Sequence, residues 1–330
     1  MDKKLAGIKL HERVGQLIGS DLAEVEKVFQ EELASKNPYV NDVYTHVSRF
    51  RGKRLRPILV LLTAEATGGI RSSHHVLSAV VEMIHTATLV HDDILDEAET
   101  RRHVATVNSR WNNETSVLFG DFLFTHAFHL ASSLETTYAC RLIGEATNLV
   151  CEGELSQIRE RGNLELSEEA YFQIIDGKTA ELCALCCHLG AYYTDSDQET
   201  VNQLSQFGRL LGTAFQIADD LLDLQGDEKE TGKSLGTDLE KQKMTLPLIR
   251  LLSQSDDESA SRILKLLNQP SPETRTEIQK LISESDAVEY SMKKALEIAA
   301  QARTCLNSLN PSPAKQLLED LSDFATQRSS

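Results

Sequence analysis

Several things are scarce in this sequence, and each scarcity removes a class of protein. Long hydrophobic runs are missing: none approaches the roughly 18 apolar residues of a membrane-spanning helix. The first ten residues, Met1 to Leu10, have no apolar core of the kind a signal peptide needs. Cysteines number only six in 330 residues, too few and too scattered for a disulfide framework. A cytoplasmic location is the expectation. Basic residues are in deficit, 34 against 50 acids, giving a net charge of −16. That balance argues against nucleic acid as a partner and allows at most peripheral membrane contact. No segment alternates at the period of a strand, so the fold is expected to be all-α. Prolines are few at seven and hydrophobic residues make up 41%, which together permit a sizeable core. No linker-like stretch divides the chain, and one domain over residues 1–330 is expected.

What stands out is an acidic pattern that occurs twice. His91-Asp-Asp-Ile-Leu-Asp96 ends one apolar run, and Ala218-Asp-Asp-Leu-Leu-Asp223 ends another. On a helix the first and last aspartates of each cluster share a face, about 6 Å apart along the axis. Like charges that close repel, so the arrangement asks for a cation. One such cluster in an acidic protein would read as a solvated helix face. A second copy, again following apolar residues and again with basic residues downstream, favours two clusters facing one cavity. Carboxylates that share an ion with waters and substrate phosphates suit Mg²⁺. Neither cluster has the glycine and terminal glutamate of an EF-hand loop.

The remaining segments read as helices. Residues from about 11 to 35 carry Val14, Leu17, Ile18, Leu22, Val25, Val28 and Phe29 at spacings of three and four, and Asn37-Pro38 ends that helix. The most basic stretch, Arg49 to Pro57, places Lys53, Arg54 and Arg56 at a helix N-terminus that Pro57 opens and Gly68-Gly69 closes. Such a place can hold an anion; read alone, it is equally an exposed basic turn. The next helix, from about Ser73, leads into the first cluster and carries His85 two turns before Asp92. Asn112 starts a further helix, Tyr138 to about Ile158 forms another, and Ser167 caps one that reaches Tyr193 with Asp176 to Ala180 as a polar interruption. Ser196 to Glu199 reads as a capping box for the helix that delivers the second cluster. Cys183, Cys186 and Cys187 read as small buried hydrophobes, since no second C-x-x-C pair exists. Gly232-Lys-Ser lacks the first glycine of a P-loop, position 227 being an aspartate.

Taken together, Gly52-Lys-Arg-Leu-Arg-Pro57, His85, the two aspartate clusters, Arg101-Arg102, Gly177-Lys-Thr179, Gln216 and Gly232-Lys-Ser-Leu-Gly-Thr-Asp238 closely resemble, in the same order, the trans-polyprenyl diphosphate synthases. The match covers roughly residues 40 to 250. The resemblance implies antiparallel helices around a deep central cavity, a homodimer, and Mg²⁺-assisted head-to-tail condensation of isopentenyl diphosphate with an allylic diphosphate of the farnesyl or geranylgeranyl type. By analogy, Asp92, Asp96 and Asp219 would be direct ligands of several Mg²⁺ ions, and Asp93, Asp220 and Asp223 would act directly or through water. Arg101, Lys178, Lys233 and Lys243 would hold the allylic diphosphate. Lys53, Arg56, His85 and Arg102 would bind isopentenyl diphosphate. Thr179 and Gln216 would face the carbocation, and the released diphosphate would take the final proton.

Two departures from the family pattern are visible: His103 follows the paired arginines where glycine is common, and Arg51 replaces the first of two glycines before Lys53. Product length is expected to follow from Ala87 and Thr88, roughly one turn upstream of Asp92. In the family, bulky aromatics there block the tunnel. Here both residues are small, so a long product is expected, a quinone side-chain precursor rather than a three-unit one, growing past Ile84 and Val81 towards Phe128 and Ile143. The competing readings are a short-chain farnesyl or geranylgeranyl synthase, the catalytic subunit of a heteromeric synthase, and a terpene cyclase or head-to-head synthase. A cyclase or head-to-head synthase would have less use for the separate clamp of Lys53, Arg56, His85 and Arg102.

Overall fold

A computed structural model describes residues 3–50, 52, 54–225, 237–269 and 271–326. The described residues are almost entirely helical, as expected. In chain order they form α1 (Lys3–Glu32), α2 (Pro38–Val47), α3 (Leu55–Thr67), α4 (Ser72–Leu95), β1 (Thr100–Arg101), β2 (Val104–Ala105), α5 (Val107–Arg110) and α6 (Asn113–Ala131). After these come α7 (Tyr138–Arg159), α8 (Glu168–Ile175), a π-helical turn (Asp176–Ala180), α9 (Glu181–Tyr192) and α10 (Gln198–Gln225). The C-terminal third supplies α11 (Thr237–Glu240), α12 (Leu246–Gln254), α13 (Asp257–Leu267), α14 (Pro272–Ser283), α15 (Ala287–Thr304) and α16 (Pro313–Thr326).

Local chemistry sets most of these boundaries. The Asn112 side chain accepts from the Thr115 amide at 2.7 Å and starts α6. Ser167 does the same for Ala170 at 3.1 Å and starts α8. Gly69, with φ +96°, takes the left-handed conformation that ends α3. The expected cap of α10 needs correction. Asp197, not Ser196, accepts from the Thr200 amide at 2.8 Å, while the Ser196 hydroxyl pairs with that of Thr194 at 2.9 Å. A carboxylate one residue later is the stronger acceptor. The hairpin is also a departure from an all-helical reading. Its two strands have two residues each, paired Thr100 with Ala105 and Arg101 with Val104, and its turn residues Arg102 and His103 both have positive φ. That is the backbone a tight two-residue hairpin turn requires, and His103 takes it without the family's glycine.

Two cores form. The larger gathers α1, α3, α4, α6, α9, α16 and the first half of α10, with Leu59, Leu61, Leu77, Ile84, Cys186, Cys187, Leu204 and Phe207 fully buried. The three cysteines of α9 are packing residues, as expected. The smaller joins α8 and α12 to α15 around Ile217, Leu221 and Leu224, from the second half of α10. α10 therefore belongs to both cores, and its C-terminal end is fixed from both sides.

Close helix contact lets α10 sit against the π turn and α9. A Cβ on Gly212 would lie 2.7 Å from the Ala180 Cα, which no relaxed side chain can move. Gly212→Ala is therefore expected to push α10 off that backbone and to cost about 1–3 kcal/mol, read as a lowered Tm on thermal unfolding followed by circular dichroism.

Candidate active site

The two aspartate clusters sit at the C-terminal ends of α4 and α10. Asp96 caps α4, its amide donating to the Asp92 carbonyl at 2.8 Å. The clusters lie opposite each other, as two sets of contacts establish. Lys243 Nζ is 3.2 Å from Asp96 and 3.6 Å from Asp238, and the Asp238 amide donates to Asp223 at 3.2 Å. The charge of Lys178 pulls down the carboxyls of both Asp92, in the first cluster, and Asp220, in the second.

Lys178 is placed by the π turn. The extra residue per turn widens the helix where α8 passes into α9, and α7 packs against the bulge through a glycine: a Cβ on Gly153 would be 2.6 Å from the Lys178 nitrogen. Arg209 of α10 straddles the turn, pairing with Asp176, its first residue, and with Glu181 just after it. Single π turns inside α-helices are often found at functional sites. Here the turn presents Lys178 to Gln157 at 2.7 Å and Glu154 at 3.4 Å, and Thr179 to Gln216.

Hydrogen bonding fixes the second cluster. Tyr171 donates to Asp220 at 2.6 Å, Gln216 Nε2 donates to Asp220 at 2.7 Å, and the Thr179 hydroxyl donates to Gln216 Oε1 at 2.8 Å. With its proton directed at Gln216, the Thr179 oxygen keeps its lone pairs for another neighbour. Asp93 differs from the other acids of its cluster. It is 1% exposed, and Arg101 holds it through Nε and Nη2 at 2.7–3.1 Å. The residue expected near metal and the residue expected on diphosphate thus bind each other, with the Nη1 edge of Arg101 outside that pairing. Asp96 also receives Arg161 at 3.2 Å.

A second basic group surrounds His85. Burial first, and then the charges of Arg56, Arg101, Arg102 and Arg54, push the His85 imidazole well below its ordinary pKa, so it is neutral at pH 7. Arg54 is tied to Glu82 at 2.8 Å and Glu26 at 2.9 Å, and Arg102 donates to the Phe50 carbonyl. Arg56 Nε is a buried donor with no protein acceptor, which fits an anion partner. Of the expected residues, Lys53 and Lys233 lie outside the described residues.

Sequence reasoning missed Glu154, Gln157, Arg161, Tyr171 and Arg209. The one available signal was Glu152-Gly-Glu-Leu-Ser-Gln157, where a glycine flanked by acids interrupts an otherwise ordinary helix.

Residues 37–285 match the polyprenyl synthetase family. This chain belongs to that family. It is 34% identical to octaprenyl diphosphate synthase of Escherichia coli over 96% of this chain and 98% of that protein. To the geranyl-diphosphate-specific all-trans-nonaprenyl-diphosphate synthase of Rhodobacter capsulatus it is 36% identical, covering 94% and 96%. Among solved structures, the polyprenyl synthase of Caulobacter crescentus complexed with calcium and isoprenyl diphosphate superposes with a TM-score of 0.92 at 32% identity, over 97% of this chain and 98% of that one.

The donor set of the two clusters, carboxylate oxygens only, suits a hard divalent cation. Electrostatics agree. Burial, then Glu154, raises Asp92 to about 7 against the pull of Lys178. Burial and Asp238 raise Asp220 to about 7 against the hydrogen bonds from Tyr171 and Gln216. Both carboxyls thus hold protons more tightly folded than unfolded. Their contribution to stability is complete below about pH 4, the unfolded value, and is lost as pH rises through about 7. A divalent cation that replaces those protons restores it. The rise in Tm on adding Mg²⁺ is therefore expected to be larger at pH 8 than at pH 5.5 in differential scanning fluorimetry; an equal or reversed pH trend would refute this account of the clusters.

Proposed function

We propose that this protein is a trans-prenyltransferase that condenses isopentenyl diphosphate head to tail with an allylic diphosphate of the farnesyl or geranylgeranyl type, making a long all-trans polyprenyl diphosphate. The observation that carries this reading is the pairing of two facing acidic clusters with a distinct arginine group around a neutral histidine. One diphosphate must be ionised and the other must not. An acidic, cation-dependent site serves the first, and an arginine site that needs no metal serves the second.

Asp92, Asp96 and Asp219 would hold Mg²⁺ directly, with Asp220 and Asp223 joining directly or through water. Bound Mg²⁺ supplies the positive charge that eases departure of the diphosphate from the allylic carbon. Lys178 and Lys243 would lie around the same oxygens, and Lys178 would turn from Gln157 and Glu154 to the leaving group. Arg101 would reach the diphosphate with its Nη1 edge while its other edge keeps Asp93 in place. Lys233 is assigned the same role by family resemblance. On the other side, Arg56, Arg102 and neutral His85, with Lys53, would grip isopentenyl diphosphate; a neutral imidazole donates a hydrogen bond without adding charge. Thr179, its proton committed to Gln216, would turn lone pairs towards the allylic cation, stabilising it electrostatically. The departed diphosphate, held by these same cations, would accept the proton that leaves after the carbon–carbon bond forms.

A homodimer fits the surface. Val117 and Leu118 of α6 and Leu149, Leu155 and Ile158 of the neighbouring α7 are exposed aliphatics, Leu118 by 68% and Leu155 by 65%. Exposed apolar residues concentrated on adjacent helices favour burial against another surface.

For product length, Ala87 is buried, and the Thr88 hydroxyl is turned back on the His85 carbonyl at 2.8 Å. Neither presents bulk one turn above Asp92. Incubation with labelled isopentenyl diphosphate, farnesyl diphosphate and Mg²⁺, with chromatography of the dephosphorylated products, should yield a ladder ending in a long prenol. The Ala87→Tyr variant should end it after one or two additions. A short wild-type product would overturn the length assignment, and no elongation by folded protein would overturn the reaction. In the same assay Arg56→Met is expected to raise KM for isopentenyl diphosphate about tenfold or more, equivalent to about 1.4 kcal/mol, leaving KM for the allylic substrate nearly unchanged.

A further inference from the structure

Away from the aspartate clusters, where α1 ends beside the last turns of α6, three side chains with metal-binding atoms converge. His126 Nδ1 and His129 Nδ1 each lie 2.8 Å from the same oxygen, Glu32 Oε1. The three donor atoms all fall within 4.8 Å of one another. We infer that Glu32, His126 and His129 form a second metal site, selective for a borderline transition ion such as Zn²⁺ rather than for Mg²⁺.

Four features support the inference. The ligand set of two imidazoles and one carboxylate suits Zn²⁺, Ni²⁺ or Cu²⁺, whereas Mg²⁺ prefers oxygen alone. The histidines are three residues apart on α6, hence on one face, and both use the same ring nitrogen. Bonds of about 2.0–2.1 Å in a tetrahedral site imply ligand separations near 3.3 Å; the two nitrogen–oxygen separations, 2.8 Å each, need to widen by only about half an ångström, and the two nitrogens already lie within 4.8 Å of each other. Finally, Glu32 is the last residue of α1 and His129 is in the last turn of α6, where the partial negative charge of helix C-termini favours a cation.

The frame around these groups is rigid on one side and open on the other. Phe29 and Leu33, flanking Glu32, are buried, and the Phe122 ring packs on His126 with centroids 4.2 Å apart. The side chain of His129 is 76% exposed, against 14% for Glu32. A metal there would have three protein ligands and its remaining position towards solvent. Binding would displace the two imidazole protons now directed at Glu32 and link α1 to α6.

The test uses the full chain, free of any histidine tag, in excess Mg²⁺ so that the aspartate clusters are occupied. Titration with Co²⁺ should give one equivalent of the intense visible absorption of a four-coordinate nitrogen-bound ion, and one equivalent of Zn²⁺ should abolish it. His129→Gln, a change at an exposed residue, and His126→Gln should each weaken binding at least tenfold without altering the far-ultraviolet dichroism or prenyl transfer. Asp92→Asn should leave the band intact. No visible band at one equivalent, or a band that survives unchanged in the double variant His126→Gln/His129→Gln, would overturn the assignment. Neither outcome depends on the prenyltransferase reading.

Discussion

Mutual repulsion among carboxylates is the constraint around which this protein is arranged. Six aspartates are brought to one place at the ends of two long helices, and two of them, Asp93 and Asp220, are buried there. Burial without compensation would cost several kcal/mol per ion. The fold compensates each acid differently. Asp93 receives a bidentate guanidinium, Asp96 receives Arg161 and Lys243, and Asp220 receives two neutral donors. Burial, and then the charge of Glu154, outweighs the pull of Lys178 at Asp92, which with Asp220 therefore retains a proton towards neutrality. The compensation is graded: fullest at Asp93, which a bidentate guanidinium holds, and weaker at Asp92 and Asp220, whose carboxyls are raised to about 7.

That grading explains the irregular backbone nearby. A regular helix through residues 168–192 would direct Lys178 along a different line from α7, and the widened turn changes its direction by a fraction of a turn. Arg209 holds both shoulders of that turn from α10, the helix that also carries Asp219, Asp220 and Asp223. The lysine whose charge reaches both clusters and one of the clusters are consequently fixed to the same rod. Since α10 also belongs to both hydrophobic cores, the geometry of the site is coupled to the packing of the whole chain.

How much of this was legible beforehand depended on the range of the interaction. Helix boundaries set by neighbours within four residues, such as the Asn112 and Ser167 caps and the Gly68-Gly69 stop, could be read directly. The error at Ser196 was of the same local kind: serine and aspartate stand side by side, both cap well, and the carboxylate is the stronger acceptor. The β1–β2 hairpin was invisible because two-residue strands have no period to detect. The two acidic clusters were legible because their spacing is local. Their restraints were not, since Arg161 meets Asp96 across 65 positions and Tyr171 meets Asp220 across 49. Nothing in a single sequence marks Arg209 as the clamp of a π turn about thirty positions earlier.

The same reasoning separates the two groups of histidines. His85 sits inward among arginines, and its neutrality follows from burial and from the cost of adding a further positive charge to an already basic group. His126 and His129 sit nearer the surface, both against the Glu32 carboxylate. A sequence shows both simply as histidines on helices. Chemistry diverges only when the fold decides which charges surround them, so the first is suited to holding an anion without competing for protons and the second pair to holding a cation.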